Sequence, residues 1–293
     1  MSIHVGQVAS VRRVFTQSDF DRFAALSGDD NPIHVDPAFS ARTKFGHTVA
    51  HGMFLYSVVC GVLDTHLPGP GTIQVEQDLM FPTATPAGEE VEIRVEVTEV
   101  LPAEGLAELT TLVIRPGGDP GLQGRTRVRL PDPLAGSFPI PDAPIPDPAL
   151  PGSDPFRGME LGQRAQTCRT FTAADLAEYA HLTQDHNPLY VKPKYAQKLG
   201  LAGALVPGGL LGGLFSYLLG TELPGRGTNY LKQWLHFPAP ACIEQELVAS
   251  VEIVRIRPEK QLMNLRTVCT TAVHTVVCQG EALVLVSDLE REV

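Results

Sequence analysis

Residues 23–36 read FAALSGDDNPIHVD, and 156 positions beyond the second part of this stretch, residues 183–190 read TQDHNPLY. Asp29 stands five residues before His34 in the first segment, and Asp185 stands five before Tyr190 in the second. The same spacing therefore occurs twice, once with an acid and an imidazole and once with a phenol where the imidazole was. At the constant offset Phe15-Thr16 matches Phe171-Thr172, Asp19 matches Asp175, and Asn31-Pro32 matches Asn187-Pro188. Gly52 matches Gly208, LPGPGT at 67–72 matches LPGRGT at 223–228, and Phe81-Pro82 matches Phe237-Pro238. A gap-free repeat of this length marks two copies of one fold.

The copies meet at PDPLAGSFPIPDAPIPDPALPGSDP, residues 131–155, which holds nine prolines and no periodic apolar face. Proline lacks the donor that a sheet ladder needs, so this stretch reads as a semi-extended connector. The expected division is a first unit at 1–130, a connector at 131–157 and a second unit at 158–293. The 293 residues suffice for two cores.

Within each copy, TQSDFDRFAAL and TAADLAEYAHL carry an N-cap residue, an early acid and helical apolar spacing. The motif segments that follow read as turn-rich loops. Residues 50–67 and 206–223 are apolar on nearly every face, which predicts a buried helix in each copy. Alternating segments at 89–100, 107–116 and 122–130, with counterparts after residue 241, predict antiparallel strands able to cover that helix. The fold class is α+β, used twice.

Composition narrows function. Lys plus Arg number 23 against 33 Asp plus Glu, a formal net charge of −10 that disfavours nucleic acid as partner. No apolar run reaches membrane-spanning length and the N-terminus lacks a secretory pattern, so a cytoplasmic protein without membrane contact is expected. The five cysteines form no CxxC pair or ligand cluster and read as buried thiols, with no metal expected.

FAALSGDDNPIHVD at 23–36, with AHGM at the entry of the buried helix, closely resembles the MaoC-like hydratases, especially the (R)-specific enoyl-CoA hydratases. The resemblance covers both copies and implies a double hotdog, two tandem units each with a long central helix wrapped by an antiparallel sheet. It implies an enoyl-CoA hydratase that adds water reversibly to trans-2-enoyl-CoA, giving (R)-3-hydroxyacyl-CoA. The catalytic pair falls on Asp29 and His34, Asn31 shapes the loop, and the backbone N–H of Gly52 falls where the family binds the thioester oxygen. The second copy keeps Asp185 and Asn187 but has Tyr190, which implies a degenerate site. A phenol of pKa about 10 does not replace neutral imidazole as a reversible base at neutral pH without strong tuning.

Taken alone, Asp29 reads equally as a turn cap, His34 as a polar core contact and Gly52 as mere helix entry. His51, just before Gly52, is a secondary candidate for the pocket edge. Arg42 and Lys44 are candidates for the coenzyme A phosphates. No nucleotide-binding glycine motif appears, so no cofactor is expected beyond the coenzyme A carried by the acyl-CoA substrate. A homodimer is expected from related assemblies. The alternatives are a dehydratase acting on an acyl-carrier protein, a hotdog thioesterase, or a non-catalytic acyl-CoA-binding module.

Overall fold

The computed structural model describes residues 3–131 and 156–287. Residues 132–155, most of the proline-rich connector, lie outside the described residues.

The first copy runs β1 (Val8–Val14), α1 (Gln17–Ser27), α2 (Pro32–Val35), α3 (Pro37–Ser40), α4 (Gly52–Thr65), β2 (Ile73–Met80), β3 (Glu90–Leu101), β4 (Leu106–Ile114) and β5 (Pro120–Arg129). The second repeats it as β6 (Arg164–Thr170), α5 (Ala173–Thr183), α6 (Pro188–Val191), α7 (Pro193–Lys198), α8 (Gly208–Tyr217), β7 (Thr228–His236), β8 (Glu246–Arg257), β9 (Leu262–Thr271) and β10 (Val276–Val286). Both capping helices start with the same reciprocal box: Thr16 with Asp19 and Thr172 with Asp175 each satisfy the other's first-turn N–H.

The ten strands form one antiparallel sheet in the order β1-β3-β4-β5-β2-β7-β10-β9-β8-β6. The copies join where β2 pairs with β7, in a register that sets Asp78 opposite Trp234. These two positions are 156 apart, since 78 plus 156 is 234. Arg22 and Glu178, also 156 apart, form an ion pair at 2.5 Å on the helical side. Equivalent residues touch each other, so a pseudo-two-fold axis passes between the copies, as in an isologous dimer. β2 and β7 were absent from the strands read in the sequence, although they carry the junction.

Helices α4 and α8 lie side by side within the sheet's curve. Every residue from Met53 to Asp64 is buried, which accounts for a helix apolar all round. Two glycines of the GGLLGG run admit the approach: a Cβ on Gly209 would fall 2.3 Å from Ser57 Oγ, and one on Gly212 would fall 2.7 Å from Met53 Sδ. The main hydrophobic core runs through both copies, and a small separate cluster forms around Ile33 and Val49. No helix among the described residues is long and apolar enough to cross a membrane.

Three local expectations are corrected. The motif segments are not simple loops: α1 ends at Gly28 in the left-handed region, and Asn31 then caps the one-turn helix α2 with Pro32 at its first position. The second central helix stops being α-helical at Tyr217 and continues as a π-helical turn, Leu218–Glu222. Cys168 is exposed on β6, whereas the other four cysteines are buried.

Candidate active site

The motif of the first copy converges on a cavity of about 230 Å³. Asp29, Asn31 and His34 line it with Gly52 at the start of α4, and Ser216 and Gly220 reach it from the second copy. Asn31 does two jobs. Its Oδ1 accepts from the Ile33 N–H at 3.3 Å, and its Nδ2 donates to the Gly220 carbonyl at 3.1 Å, tying the loop to the other copy.

Asp29 is 1% exposed. Its Oδ2 accepts from the Ser216 hydroxyl at 2.6 Å and its Oδ1 from the Asn31 N–H at 3.3 Å. Burial raises its pKa above the ordinary carboxylate value, opposed by the His34 imidazole, the Ser216 hydroxyl and the Asn31 N–H. The carboxylate is thus a stronger base than one in water.

Nδ1 of His34 lies 2.7 Å from the Val49 carbonyl oxygen, a contact that places the hydrogen on Nδ1 and leaves Nε2 as the lone pair. Burial lowers the pKa of this ring, with Asp29 opposing the shift. His51 stacks on His34 with ring centroids 3.8 Å apart and donates from Nε2 to the Asp29 carbonyl at 2.9 Å. It does not line the cavity, so it supports the pair from behind instead of shaping the pocket edge. One oxygen of Asp29 and one nitrogen from each of His34 and His51 lie within 4.8 Å of one another, a donor set of a kind that also holds transition metals.

Gly52 opens the fourteen-residue helix α4, where a first-turn N–H has no intrahelical acceptor. A Cβ there would sit 2.8 Å from the Phe81 ring, so glycine is needed for the fit of that wall. Lys44 lines the cavity with its ammonium over the Phe45 ring at 5.2 Å. Arg42 does not line it; its guanidinium donates to the Ala38 carbonyl at 3.2 Å.

Ser216 and Gly220 are residues of the candidate site that motif reading missed. A Cβ on Gly220 would fall 2.9 Å from Asp29 Oδ1, so only glycine leaves the carboxylate its place. The signal was available in the internal alignment: their counterparts at the same offset are Cys60 and Asp64.

Those counterparts occupy the second site. Asp185 and Asn187 hold the same loop geometry, Asn187 capping α6 and donating to the Thr72 carbonyl at 2.9 Å. Asp185, however, faces the Asp64 carboxyl, and Tyr190 stands where His34 is in the first copy. Both carboxyls are fully buried, and burial pushes Asp185 up to about 7 and Asp64 well above the carboxylate range. Asn187 and Tyr190 beside the Asp64 carboxyl oppose its upward shift, but burial and the facing Asp185 outweigh them. The nearby cavity, about 50 Å³, is lined by Tyr190 but not by Asp185 or Asn187.

The model of the MaoC like domain matches residues 3–113 and again residues 158–276. The chain belongs to the MaoC-like family. An (R)-specific enoyl-CoA hydratase of Aeromonas caviae is 42% identical over 130 residues, covering 44% of this chain and 97% of that protein. A 3-hydroxybutyryl-CoA dehydratase of Methylorubrum extorquens is 37% identical over 138 residues, covering 45% and 87%. Each of these relatives is about the length of one copy. Over the whole chain, a MaoC-like dehydratase structure superposes with a TM-score of 0.75 at 18% identity, covering 97% of this chain and 98% of that one. A Mycobacterium tuberculosis protein described as having a double hotdog fold gives 0.73 at 18%, covering 97% and 96%. This member of the MaoC-like family is thus an α+β double hotdog.

Proposed function

We propose that the chain adds water reversibly to trans-2-enoyl-CoA, forming (R)-3-hydroxyacyl-CoA, in the cavity of the first copy. The observation that carries this reading is the convergence of Asp29, His34 and the first turn of α4 on one cavity. Relatives named as (R)-specific enoyl-CoA hydratases support the reaction and its handedness.

In this reading water sits between the Asp29 carboxylate and His34 Nε2. Asp29 takes a proton as the oxygen bonds to the β-carbon, and the displaced electron pair moves onto the thioester oxygen, where the Gly52 N–H meets the developing charge. The Asp29–His34 pair then returns one proton to the α-carbon and ends in its starting protonation state. Only water has been added. Dehydration runs the same steps backwards.

The deciding measurement is crotonyl-CoA hydration, read as loss of the enoyl absorbance with chiral analysis of the product. The (R)-3-hydroxy thioester is expected; release of free coenzyme A would establish a thioesterase, and binding without turnover across several chain lengths a non-catalytic module. One relative, in Solanum lycopersicum, is named a 3-hydroxyacyl-[acyl-carrier-protein] dehydratase and is 34% identical over 136 residues. Much faster turnover of the same acyl group on a carrier protein would favour that second reading.

Ser216 bears on the same chemistry. Its hydroxyl favours the ionised form of Asp29, so Ser216→Ala is expected to raise the Asp29 pKa further and move the acid limb of the kcat/KM profile to higher pH. A roughly tenfold fall in kcat should accompany the shift. An unmoved acid limb would show that the contact does not govern the base.

A further inference from the structure

A groove of about 750 Å³ crosses the outer face of the sheet at the β2–β7 junction. Leu112, Trp234 and Leu283 give it apolar walls, with Asp78, Arg125 and Glu281 among them. Strand alternation turns these side chains away from the core, since Gln77, Thr126, Gln233 and Ala282 beside them are buried. Trp234 is the one tryptophan of the chain.

Strand register places four of these residues in a single row. Arg125 pairs with Asp78, Asp78 with Trp234, and Trp234 with Glu281, so the row crosses β5, β2, β7 and β10. Its midpoint is the pseudo-two-fold axis, because Asp78 and Trp234 are counterparts. Arg125 and Glu281 are counterparts too, since 125 plus 156 is 281. Opposite charges therefore stand at equal distances on either side of the axis.

Within one chain these two charges do not meet, being three strand spacings or roughly 14 Å apart. The Arg125 side chain is 69% exposed and its ion-pair partner, Glu108, is 3.9 Å away, so the guanidinium is free to turn outward. Glu281 accepts from Asn264 Nδ2 at 2.7 Å, which fixes its carboxylate on the same face.

Sheets stack face to face about 10 Å apart. A second copy turned about an axis parallel to β2 and β7 lays the row on itself in reverse. Arg125 then meets the partner's Glu281, and Glu281 meets the partner's Arg125. Asp78, next to the axis, has the Arg125 and Lys232 cations of its own chain as counter-charges. Turning the second copy about an axis across the strands would instead set arginine on arginine and glutamate on glutamate, so the charge pattern selects one arrangement.

We propose that this row is the surface through which two copies of the chain associate, sheet against sheet. Each contact joins the first copy of one chain to the second copy of the other.

The test uses Arg125→Glu and Glu281→Arg in the full chain, with association followed by sedimentation equilibrium. Wild-type protein is expected to be dimeric at micromolar concentration. Either variant alone sets like charges together in both contacts, and its dissociation constant should rise at least about tenfold. Mixed in equal amounts, the two variants should associate with each other about as tightly as wild type with itself, because every 125–281 contact between them again joins opposite charges. Misfolding of either variant cannot produce that recovery. Wild-type protein monomeric at high micromolar concentration would overturn the interface, as would single variants that associate like wild type or a mixture no tighter than its components.

The lone tryptophan gives an independent reading that needs no variant. Trp234 emission should move to shorter wavelength as wild-type protein is concentrated through its dimerisation range. Emission that stays constant while the dimer forms would place the contact elsewhere and overturn the proposal.

Discussion

Replacing His34 with alanine is expected to lower kcat for crotonyl-CoA hydration about a thousandfold, and Asp29→Asn should do the same. The Asp29 carboxylate is the group that can accept a proton from water, and an amide in its place cannot. His34 is fixed by Val49 so that its remaining lone pair meets the cavity, and no neighbouring side chain supplies a second imidazole there, because the ring of His51 lies behind it and outside the lining. KM should change far less than kcat, since neither group is placed to hold the thiol arm. Tyr190→Phe serves as the internal control, with kcat within twofold of wild type. Steady-state kinetics on the three variants decide the matter, and His34→Ala or Asp29→Asn protein within tenfold of wild type would remove the first copy as the site of chemistry.

The second large effect concerns stability. Asp64 and Asp185 both have folded-state pKa values raised above the unfolded carboxylate value near 4, so the folded protein keeps protons that the unfolded chain releases. Stability attached to this pair is therefore full below about pH 4 and declines as pH rises towards 7 and beyond. Above neutral pH the folded chain must either hold such a proton or bury a charge, and either destabilises it. Asp64→Asn removes the need for that proton while retaining an N–H donor facing Asp185. The variant is expected to melt roughly 5–10 °C above wild type at pH 8 and at nearly the same temperature at pH 4.5. Thermal unfolding followed across this range is the check. A gain equal at both pH values, or a loss at pH 8, would mean that the carboxyl pair is not what limits stability in neutral solution.

Much of this was legible in the sequence because it is local. Thr16 and Thr172 with an acid three residues on, and Asn-Pro in both motifs, are signals that act within a few residues, and each formed a cap or a turn. The apolar runs at 50–67 and 206–223 foretold buried helices for the same reason. The parts that escaped depend on contact between copies. β2 reads as the mixed string IQVEQDLM and gains its meaning only when paired with β7. Ser216 sits 187 residues from the carboxylate it holds, and nothing in its own neighbourhood marks it. Lys44 and Arg42 look alike in sequence, yet the turn following α3 sends one to the cavity and the other back to the Ala38 carbonyl.

The Asp78–Trp234 junction has a consequence for what each copy is free to become. In a dimer of identical chains every substitution enters both sites together. A carboxylate at position 64 would then press against the Asp29 carboxyl of each site, because its counterpart, Gly220, stands against Asp29. Joined in one chain across that strand pair, the copies divide the work: the first keeps the motif and the second keeps the serine and glycine that complete it. The fused chain can carry Asp64 in one copy while Gly220 leaves the Asp29 carboxyl its place in the other.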